Sequence, residues 1–218
     1  MKPVAIILSG CGVFDGAEIH ESVFTMYGLA KRGVEYVCFA PDIPQMHVVN
    51  HLTGEVVEDE SRNVLVESAR IARGEIKSLS QLDVSEFSAL VVPGGFGAAK
   101  NLCDFAVKGA EASVNPDVLK ACKAFAEANK PAGYACIAPS LMSSVYGTGV
   151  KLTIGNDADT ASALEAMGAQ HIDQPVTGVV LDDRNRVVST PAYMLAQSIT
   201  EAADSIDNLI ENLVKQIS

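Results

Sequence analysis

Short, continuous apolar runs recur along the chain, and the stretches between them have helical spacing. Runs of this kind are typical of strands that are buried on both faces of a parallel sheet. They predict strands over residues 4–8, 34–39, 88–93, 132–135 and 150–154, and a hairpin of 176–182 with 187–190. The intervening patterns predict helices over 17–32, 63–72, 98–105, 115–129, 137–145, 157–167 and 193–217. Strands that alternate with helices indicate a doubly wound α/β fold.

Four of the segments that follow predicted strands have unusual chemistry. They are a glycine-rich loop at 9–16, a second at 94–97, Cys136, and the segment 190–192. Ligands of doubly wound sheets bind beyond the carboxyl ends of the strands. We therefore expect these four segments to converge on one site.

Cys136 stands at a sharp change of pattern. Small and apolar residues precede it, and an apolar, helix-compatible stretch follows, with Pro139 in a first-turn position. Strand, nucleophile and helix in this order form a nucleophile elbow, here with cysteine in place of serine. A helix N-terminus at this point would favour the thiolate. The segment is equally compatible with an inert, buried thiol, since free cysteines are often buried.

Two carboxylates and two glycines could complete such a site. Glu18 and Glu21 lie three residues apart, on one face of the first helix, and either could exchange protons with the thiol. They could also simply complement the positive end of that helix. Gly94 and Gly95 offer unobstructed N–H groups suited to an oxyanion hole, or they could form a tight turn.

Other candidate ligand sites have weaker support. Gly10, Gly12 and Gly16 are spaced somewhat like a dinucleotide-binding loop, but Glu18 and Glu21 put negative charge where a pyrophosphate would dock. His47 and His51 form a His-x-x-x-His pair without a third ligand in the sequence nearby. His20 lies on a different face of the first helix from Glu21. The sequence thus predicts no metal site.

Composition narrows the class of protein. The chain has 218 residues, of which 48% are hydrophobic, and no linker divides it, so we expect one domain over 1–218. A net charge of −11 argues against nucleic acid and anionic membranes as partners. The five cysteines match no zinc or disulfide pattern, and the sequence shows no recognisable targeting segment. Together these two observations predict a reducing, cytoplasmic location. A long irregular stretch at 43–62 contains a predicted small hairpin near 52–55.

Several longer motifs resemble those of the ElbB-type, isoprenoid-biosynthesis-associated glyoxalases, within the PfpI-like, class I glutamine amidotransferase-like superfamily. The resemblance covers essentially the whole chain. Its motifs are Ser9-Gly10-Cys11-Gly12, Asp15-Gly16-x-Glu18-Ile19-His20-Glu21, Asn50-His51-Leu52-Thr53-Gly54-Glu55, Pro93-Gly94-Gly95-Phe96-Gly97-Ala98-Ala99-Lys100-Asn101-Leu102, Cys136-Ile137-Ala138-Pro139 and Thr190-Pro191-Ala192-Tyr193-Met194-Leu195-Ala196-Gln197.

The resemblance implies a fold, a reaction and a set of site residues. The fold is a flavodoxin-like three-layer sandwich with a mostly parallel central sheet, commonly dimeric. The reaction is that of a glyoxalase III-like lyase, which converts glyoxal, and by extension methylglyoxal, to the 2-hydroxy acid without cofactor or metal. Cys136 would be the nucleophile, Glu21 the acid/base with Glu18 as second choice, and Gly95 the oxyanion donor. Among the residues that contact this small dicarbonyl we expect Gly94, Glu18, Ile137 and Thr190.

Two departures from the superfamily restrict the activity. Ile137 stands where proteolytic and deglycating relatives often carry histidine after the nucleophile. Neither residues 153–155 nor 190–192 supply the His-Glu pair of amidotransferases. The alternatives to a glyoxalase are a non-catalytic role, as a redox-sensing thiol or an accessory protein of isoprenoid metabolism, and a nicotinamide-binding oxidoreductase.

Overall fold

A seven-stranded central sheet organises the protein. The structure is a computed structural model that describes residues 1–217. Its strands are β1 (Val4–Ile7), β2 (Tyr36–Ala40), β3 (Val49–Asn50), β4 (Glu55–Val56), β5 (Ile76–Ser78), β6 (Ala89–Val92), β7 (Ala132–Ala135), β8 (Lys151–Leu152), β9 (Gln170–His171), β10 (Val180–Asp182) and β11 (Val187–Thr190). The order across the sheet is β10-β11-β7-β6-β1-β2-β5, and each neighbouring pair is parallel except β10 with β11.

Helices cover both faces of this sheet. They are α1 (Ile19–Lys31), α2 (Val64–Ile71), α3 (Phe105–Lys108), α4 (Pro116–Glu127), α5 (Met142–Tyr146), α6 (Ala158–Ala166) and α7 (Ile199–Ile217). Alternate residues of β1 enter opposite cores: Val4 and Ile6 pack with α1 and α7, whereas Ala5 and Ile7 pack with α4. The fold is therefore the flavodoxin-like α/β sandwich that the sequence predicts. None of the helices within residues 1–217 is long and apolar enough to span a membrane.

The sheet topology determines where a ligand can bind. From β1 the chain runs outward to β2 and β5, and then returns to the other side of β1 with β6. The strand order reverses between β1 and β6, and the loops after these two strands diverge at that point. The loops after β7 and β11 open at the same edge, because these strands are parallel to β6.

Several helix boundaries differ from the predicted ones. α1 begins at Ile19 instead of residue 17, since Glu18 has extended backbone and its side chain caps the helix. The final helix was predicted from residue 193 but begins at Ile199, after a 3₁₀ turn at Ala192–Met194. The stretch after Cys136 starts as a 3₁₀ turn, Ala138–Leu141, and becomes α-helical only in α5.

The strand predictions also need correction at the margins. The run at 150–154 forms only β8, which pairs with β9 in a separate two-stranded sheet instead of the central one. The edge strand β5 was missed, because it is short and Lys77 interrupts its apolar character. The small hairpin near 52–55 is confirmed as β3 and β4. The predicted hairpin of 176–182 with 187–190 is confirmed too. Its first strand, β10, is shorter than predicted and covers only Val180–Asp182.

Candidate active site

Cys136 lies at a sharp turn between β7 and the 3₁₀ turn that follows it. Its backbone φ is 58°, a left-handed conformation that is costly for a residue with a side chain. The Cys136 N–H donates to the Thr190 carbonyl at 2.9 Å, which ties the turn to the end of β11. Strain held in place by neighbouring structure is a feature of functional turns. The nucleophile-elbow geometry that the sequence suggested is therefore present.

Glu21 is fully buried beside this cysteine. Its Oε2 accepts a hydrogen bond from the Gly94 N–H at 2.9 Å, and its Oε1 accepts one from the Tyr193 N–H at 3.1 Å. The carboxyl group also forms a hydrogen bond with the Cys136 thiol. Two backbone donors from different loops thus hold the carboxylate against the sulfur, and this fixes the orientation of the pair.

Burial governs the electrostatics of this pair. Burial raises the pKa of Glu21 from 4.5 to about 7, against the opposing effect of its backbone donors. Burial and then the charge of Glu21 raise the pKa of the Cys136 thiol, although the N–H groups of Gly95 and Ile137 donate to the sulfur. Of the two alternatives, a helix N-terminus that lowers the cysteine pKa and burial that raises it, burial dominates. The following segment starts as a 3₁₀ turn and becomes α-helical only in α5, and its dipole does not offset burial.

Glu18 has a structural role that Glu21 does not have. Its Oε2 accepts from the Glu21 N–H at 2.7 Å and so caps α1. The side chain is 8% exposed and lines the cavity next to Cys136. Both glutamates therefore belong to the site, but the direct contact with the thiol belongs to Glu21.

Gly94 and Gly95 fill a space that admits no side chain. A β-carbon at Gly94 would lie 2.3 Å from the Cys136 Cβ and 2.7 Å from Glu21 Oε2. One at Gly95, where φ is 92°, would lie 2.3 Å from the Glu18 nitrogen. Glycine at these positions lets the loop after β6 pass between the first helix and the elbow. The Gly95 N–H thereby lies next to the sulfur, on the side of the cavity that Cys136 and Gly95 both line.

Replacing Gly94 by alanine should disrupt the site more than the fold. The new methyl group overlaps both Cys136 and Glu21, so the pair must separate; we expect at least a tenfold loss of any Cys136-dependent activity and a loss of about 1–3 kcal/mol in the free energy of unfolding. Gly133→Ala is the matched control. Its β-carbon would meet Leu209 at an ordinary 3.5 Å. Denaturant unfolding and activity of both variants test this, and equal behaviour would contradict it.

Ile137 and Thr190, the other two residues predicted to contact the substrate, differ in their position relative to the cavity. Ile137 lines the cavity with its side chain and donates its N–H to the Cys136 sulfur. Thr190 is fully buried, and its hydroxyl is bonded to the Gly178 carbonyl and the Ser205 hydroxyl, each at 2.8 Å. The Thr190 side chain therefore faces away from the cavity, and only its carbonyl supports the elbow.

A cavity of about 390 Å³ opens directly in front of Cys136. Its wall is largely apolar and draws on the first glycine-rich loop, the loop after β6, α3, the elbow, α6 and the 3₁₀ turn before α7. The lining residues are Val13, Glu18, Gly95, Phe96, Ala99, Phe105, Ala106, Cys136, Ile137, Thr160, Tyr193 and Met194. The sequence analysis named none of the apolar wall residues except Ile137 as a substrate contact, because an apolar side chain in a loop or helix carries no local sign that it lines a cavity.

Tyr193 connects the cavity to the glutamate. Its backbone N–H holds Glu21 Oε1, and its hydroxyl lies 2.8 Å from His20 Nδ1 at the rim. Ala192 before it has a φ of 45°, and the Ser205 hydroxyl accepts a hydrogen bond from the Ala192 N–H at 3.0 Å. The sequence placed residues 190–192 at the site, but it predicted Tyr193 only as the start of a helix and not as the donor to Glu21.

The glycine-rich loop at 9–16 is closed by its own contacts. The Gly16 N–H donates to the Gly12 carbonyl at 2.7 Å, and the Gly12 N–H to the Ala17 carbonyl at 2.9 Å. The Phe14 N–H donates to His51 Nε2 at 3.2 Å. Amides engaged in this way are not available for a pyrophosphate. His51 thus braces the loop, and residues 1–217 contain no cluster of three or more His, Cys, Asp or Glu side chains suited to a metal ion.

Comparison with known proteins gives relatives that match nearly the whole of this chain. A scan of protein-family models finds no match. The chain is 46% identical to the mitochondrial ES1 protein homologue of Rattus norvegicus, over 97% of this chain and 83% of that protein. It is 45% identical to the mitochondrial glutamine amidotransferase-like class 1 domain-containing protein 3 of Homo sapiens, over 97% of this chain and 82% of that protein.

Solved structures give the same picture of the fold. An isoprenoid biosynthesis protein with an amidotransferase-like domain from Ehrlichia chaffeensis is 39% identical, and the two chains superpose over their full lengths with a TM-score of 0.93. DJ-1beta of Drosophila melanogaster is only 16% identical, with a TM-score of 0.59 over 100% of this chain and 94% of that one. This second likeness concerns the fold alone.

Proposed function

We propose, from the premise that this chain belongs to the ES1 family of class I glutamine amidotransferase-like proteins, that it is a cofactor-independent glyoxalase. The substrate would be glyoxal or a related 2-oxoaldehyde, and the product the corresponding 2-hydroxy acid. The likeness to the isoprenoid biosynthesis protein of Ehrlichia chaffeensis supports the ElbB-type assignment, whereas the proposal of a glyoxalase III-like lyase rests on the residues of the site.

The observation that carries the proposal is the pairing of Cys136 with a buried carboxyl of raised pKa. A base with a pKa of about 7 can both accept and return a proton at neutral pH, which isomerisation of a hemithioacetal requires. Glu21 is held against the sulfur by two backbone donors, so it needs no rearrangement to act. The reaction calls for a nucleophile, one acid/base and one oxyanion donor, and the site offers each of them.

The first step forms a carbon–sulfur bond. Sulfur attacks one aldehyde carbon while the thiol proton passes to the Glu21 carboxylate. The aldehyde oxygen gains the negative charge, accepts a hydrogen bond from the Gly95 N–H, and then takes the proton from Glu21. The result is a neutral hemithioacetal and a regenerated carboxylate.

The second step moves a proton between the two substrate carbons. Glu21 removes the hydrogen from the hemithioacetal carbon and delivers it to the neighbouring carbonyl oxygen, which gives an enediol. Glu21 then accepts the hydroxyl proton of the sulfur-bearing carbon and delivers a proton to the neighbouring carbon, which leaves a thioester. In the third step water attacks the thioester, Glu21 accepts a proton from it, and the sulfur leaves and is reprotonated. The sum is glyoxal plus water to glycolic acid, with no external oxidant or reductant.

Other superfamily reactions have less support. Ile137 offers no imidazole next to the nucleophile. His171 is the histidine nearest in the fold to residues 153–155, and its Nε2 accepts the Ile154 N–H at 3.2 Å. The geometry thus lacks the features on which glutamine hydrolysis and proteolysis depend.

The second candidate is a non-catalytic accessory protein. Its supporting observation is the raised pKa of Cys136, which favours a protonated and unreactive thiol at rest. The same observation argues against redox sensing, because oxidation proceeds from the thiolate. In either case a homodimer and a cytoplasmic location remain our predictions; both the rat and the human relatives carry mitochondrial names.

The test is conversion of glyoxal in deuterated water. The enediol route places one solvent-derived deuterium on C2 of glycolate, because the proton that Glu21 carries exchanges with solvent. Spontaneous conversion by hydride transfer keeps both carbon-bound hydrogens, so a protein-free reaction is the control. NMR should show monodeuterated glycolate forming with the purified protein well above that control. Absence of glycolate would refute the enzyme, and glycolate without deuterium would refute the enediol.

A further inference from the structure

The cavity is much larger than the substrate of the proposed reaction. Glyoxal has two carbons and two oxygens, whereas about 390 Å³ lies within the range of roughly 300–1,000 Å³ found for sites that bind drug-sized molecules. Glyoxal bound at Cys136 would leave most of this space to water. A cavity of this size is better matched by a substrate that has a further group beyond the two carbonyls.

The side chains of the cavity wall indicate the chemistry of this further substrate group. Two phenyl rings, Phe96 after β6 and Phe105 at the start of α3, face the cavity together with Ile137 and Met194. They come from separate segments around Cys136, so the apolar surface encloses the space and does not form a flat patch. Burial of carbon against such a wall is favourable by about 0.8 kcal/mol for each methylene.

The charges of the site disfavour an anionic arm, whether a carboxylate or a phosphate. Among residues 1–217, no lysine, arginine or histidine lines the cavity, and Glu18 contributes a carboxyl to its wall. Lys100 is close in sequence, but its Nζ donates to the Phe14 carbonyl at 2.8 Å and lies 5.3 Å from the Phe96 ring centroid. A carboxylate or phosphate on the substrate would therefore be desolvated without a partner, which is costly.

We propose that the preferred substrate is an uncharged 2-oxoaldehyde that bears an aromatic or branched alkyl group on its ketone carbon. This inference rests on the proposed function. The aldehyde carbon bonds to Cys136, and the apolar group lies between Phe96 and Phe105. The balance is R–CO–CHO plus water to R–CH(OH)–COOH, by the same proton transfers as for glyoxal.

The test compares substrates that differ only in the arm. With glyoxal, methylglyoxal, phenylglyoxal and 4-carboxyphenylglyoxal, we expect kcat/KM to rise about fourfold per added apolar carbon at first, and phenylglyoxal to exceed methylglyoxal at least tenfold. The 4-carboxy compound should fall at least tenfold below phenylglyoxal. Chromatography of the four products, glycolate, lactate, mandelate and 4-carboxymandelate, measures each rate directly.

A pair of surface variants locates the effect in the cavity. Ala106 lines the cavity from α3, and its neighbour Val107 is 67% exposed and does not. Ala106→Phe should lower the ratio of phenylglyoxal to glyoxal kcat/KM at least fivefold, because the new ring occupies the space of the arm. Val107→Phe, with the same ring added to the same short helix, should leave the ratio unchanged.

The outcomes separate this inference from the proposed function. If glyoxal is converted, but phenylglyoxal is converted no faster than methylglyoxal, the glyoxalase stands and the apolar-arm inference is overturned. If both Phe variants change the ratio equally, the preference does not come from the cavity, and the inference also fails. If none of the four compounds is converted, the proposed function itself is wrong.

Discussion

Cys136→Ser is expected to lower the conversion of glyoxal by at least about a thousandfold, because Cys136 is the one cysteine among the described residues that line the cavity. Serine has nearly the same volume, so the elbow and its hydrogen bond to Thr190 should remain. The serine hydroxyl is a far weaker nucleophile than a thiol, and the only base in contact with it would be Glu21, with a pKa of about 7. Glycolate formation under steady-state conditions measures the loss.

A second cysteine of the chain provides the matched control for Cys136→Ser. Cys11→Ser changes a half-buried thiol in the first glycine-rich loop that does not line the cavity. We expect it to retain wild-type turnover. Mass spectrometry after brief exposure to phenylglyoxal should find an adduct on Cys136 in wild type and in Cys11→Ser, but none in Cys136→Ser. Turnover by Cys136→Ser above about a tenth of the wild-type rate would show that the sulfur is not the nucleophile.

The central part of the architecture could be predicted because it depends on local patterns. The strands β1, β6 and β7 are short apolar runs, fully buried in the structure, and the loops after them carry the glycines and Cys136. Parallel strands bring their carboxyl ends to one edge, so topology predicted that the segments with Gly94 and Cys136 would converge with the loop before the first helix. The residues alone left Glu18 and Glu21 open, and the resemblance favoured Glu21. In the structure Glu21 is the glutamate in contact with the thiol.

The apolar wall and the segment before α7 could not be predicted, for physical reasons. Phe96 and Phe105 are ordinary apolar residues in sequence, and nothing local distinguishes a cavity wall from a core. Tyr193 has helix-compatible neighbours, but the left-handed Ala192 and the Ser205 hydroxyl turn its N–H toward Glu21. Contacts between residues so far apart in the chain override local propensity.

The pKa of Cys136 shows a second limit of prediction from the sequence. The sequence left two alternatives open for Cys136, a thiolate stabilised by a helix N-terminus and a buried, inert thiol. Burial depends on what surrounds the sulfur, and a strand–turn–helix pattern does not reveal it. In the folded chain burial raises the pKa of both members of the pair, so the function of Glu21 is to accept the thiol proton during attack instead of stabilising a preformed thiolate.

Glu21→Gln should therefore lower turnover by about 10²–10⁴-fold, the usual contribution of a general acid/base. The wild-type rate should rise with pH through about 7, as the carboxyl ionises, and the variant should lose this rise. In Glu21→Gln, Cys136 should still react with iodoacetamide. The variant lacks the charge of Glu21, which is one cause of the raised pKa of this thiol. Glu18→Gln is the comparison: its amide oxygen can still cap α1, and we expect less than about a tenfold loss.

The same substitution has a consequence for stability that does not depend on catalysis. The folded-state pKa of Glu21 lies above its unfolded value, so the unfolded chain releases this proton first as pH rises. The free energy of unfolding should then fall between about pH 4.5 and 7, by about 3 kcal/mol from this group, and change no further above that range. Denaturant unfolding of wild type and Glu21→Gln at pH 4.5, 6 and 7.5 isolates the effect as a difference between their pH slopes. Parallel slopes would mean that the carboxyl titrates normally, and the base on which the proposed chemistry depends would be absent.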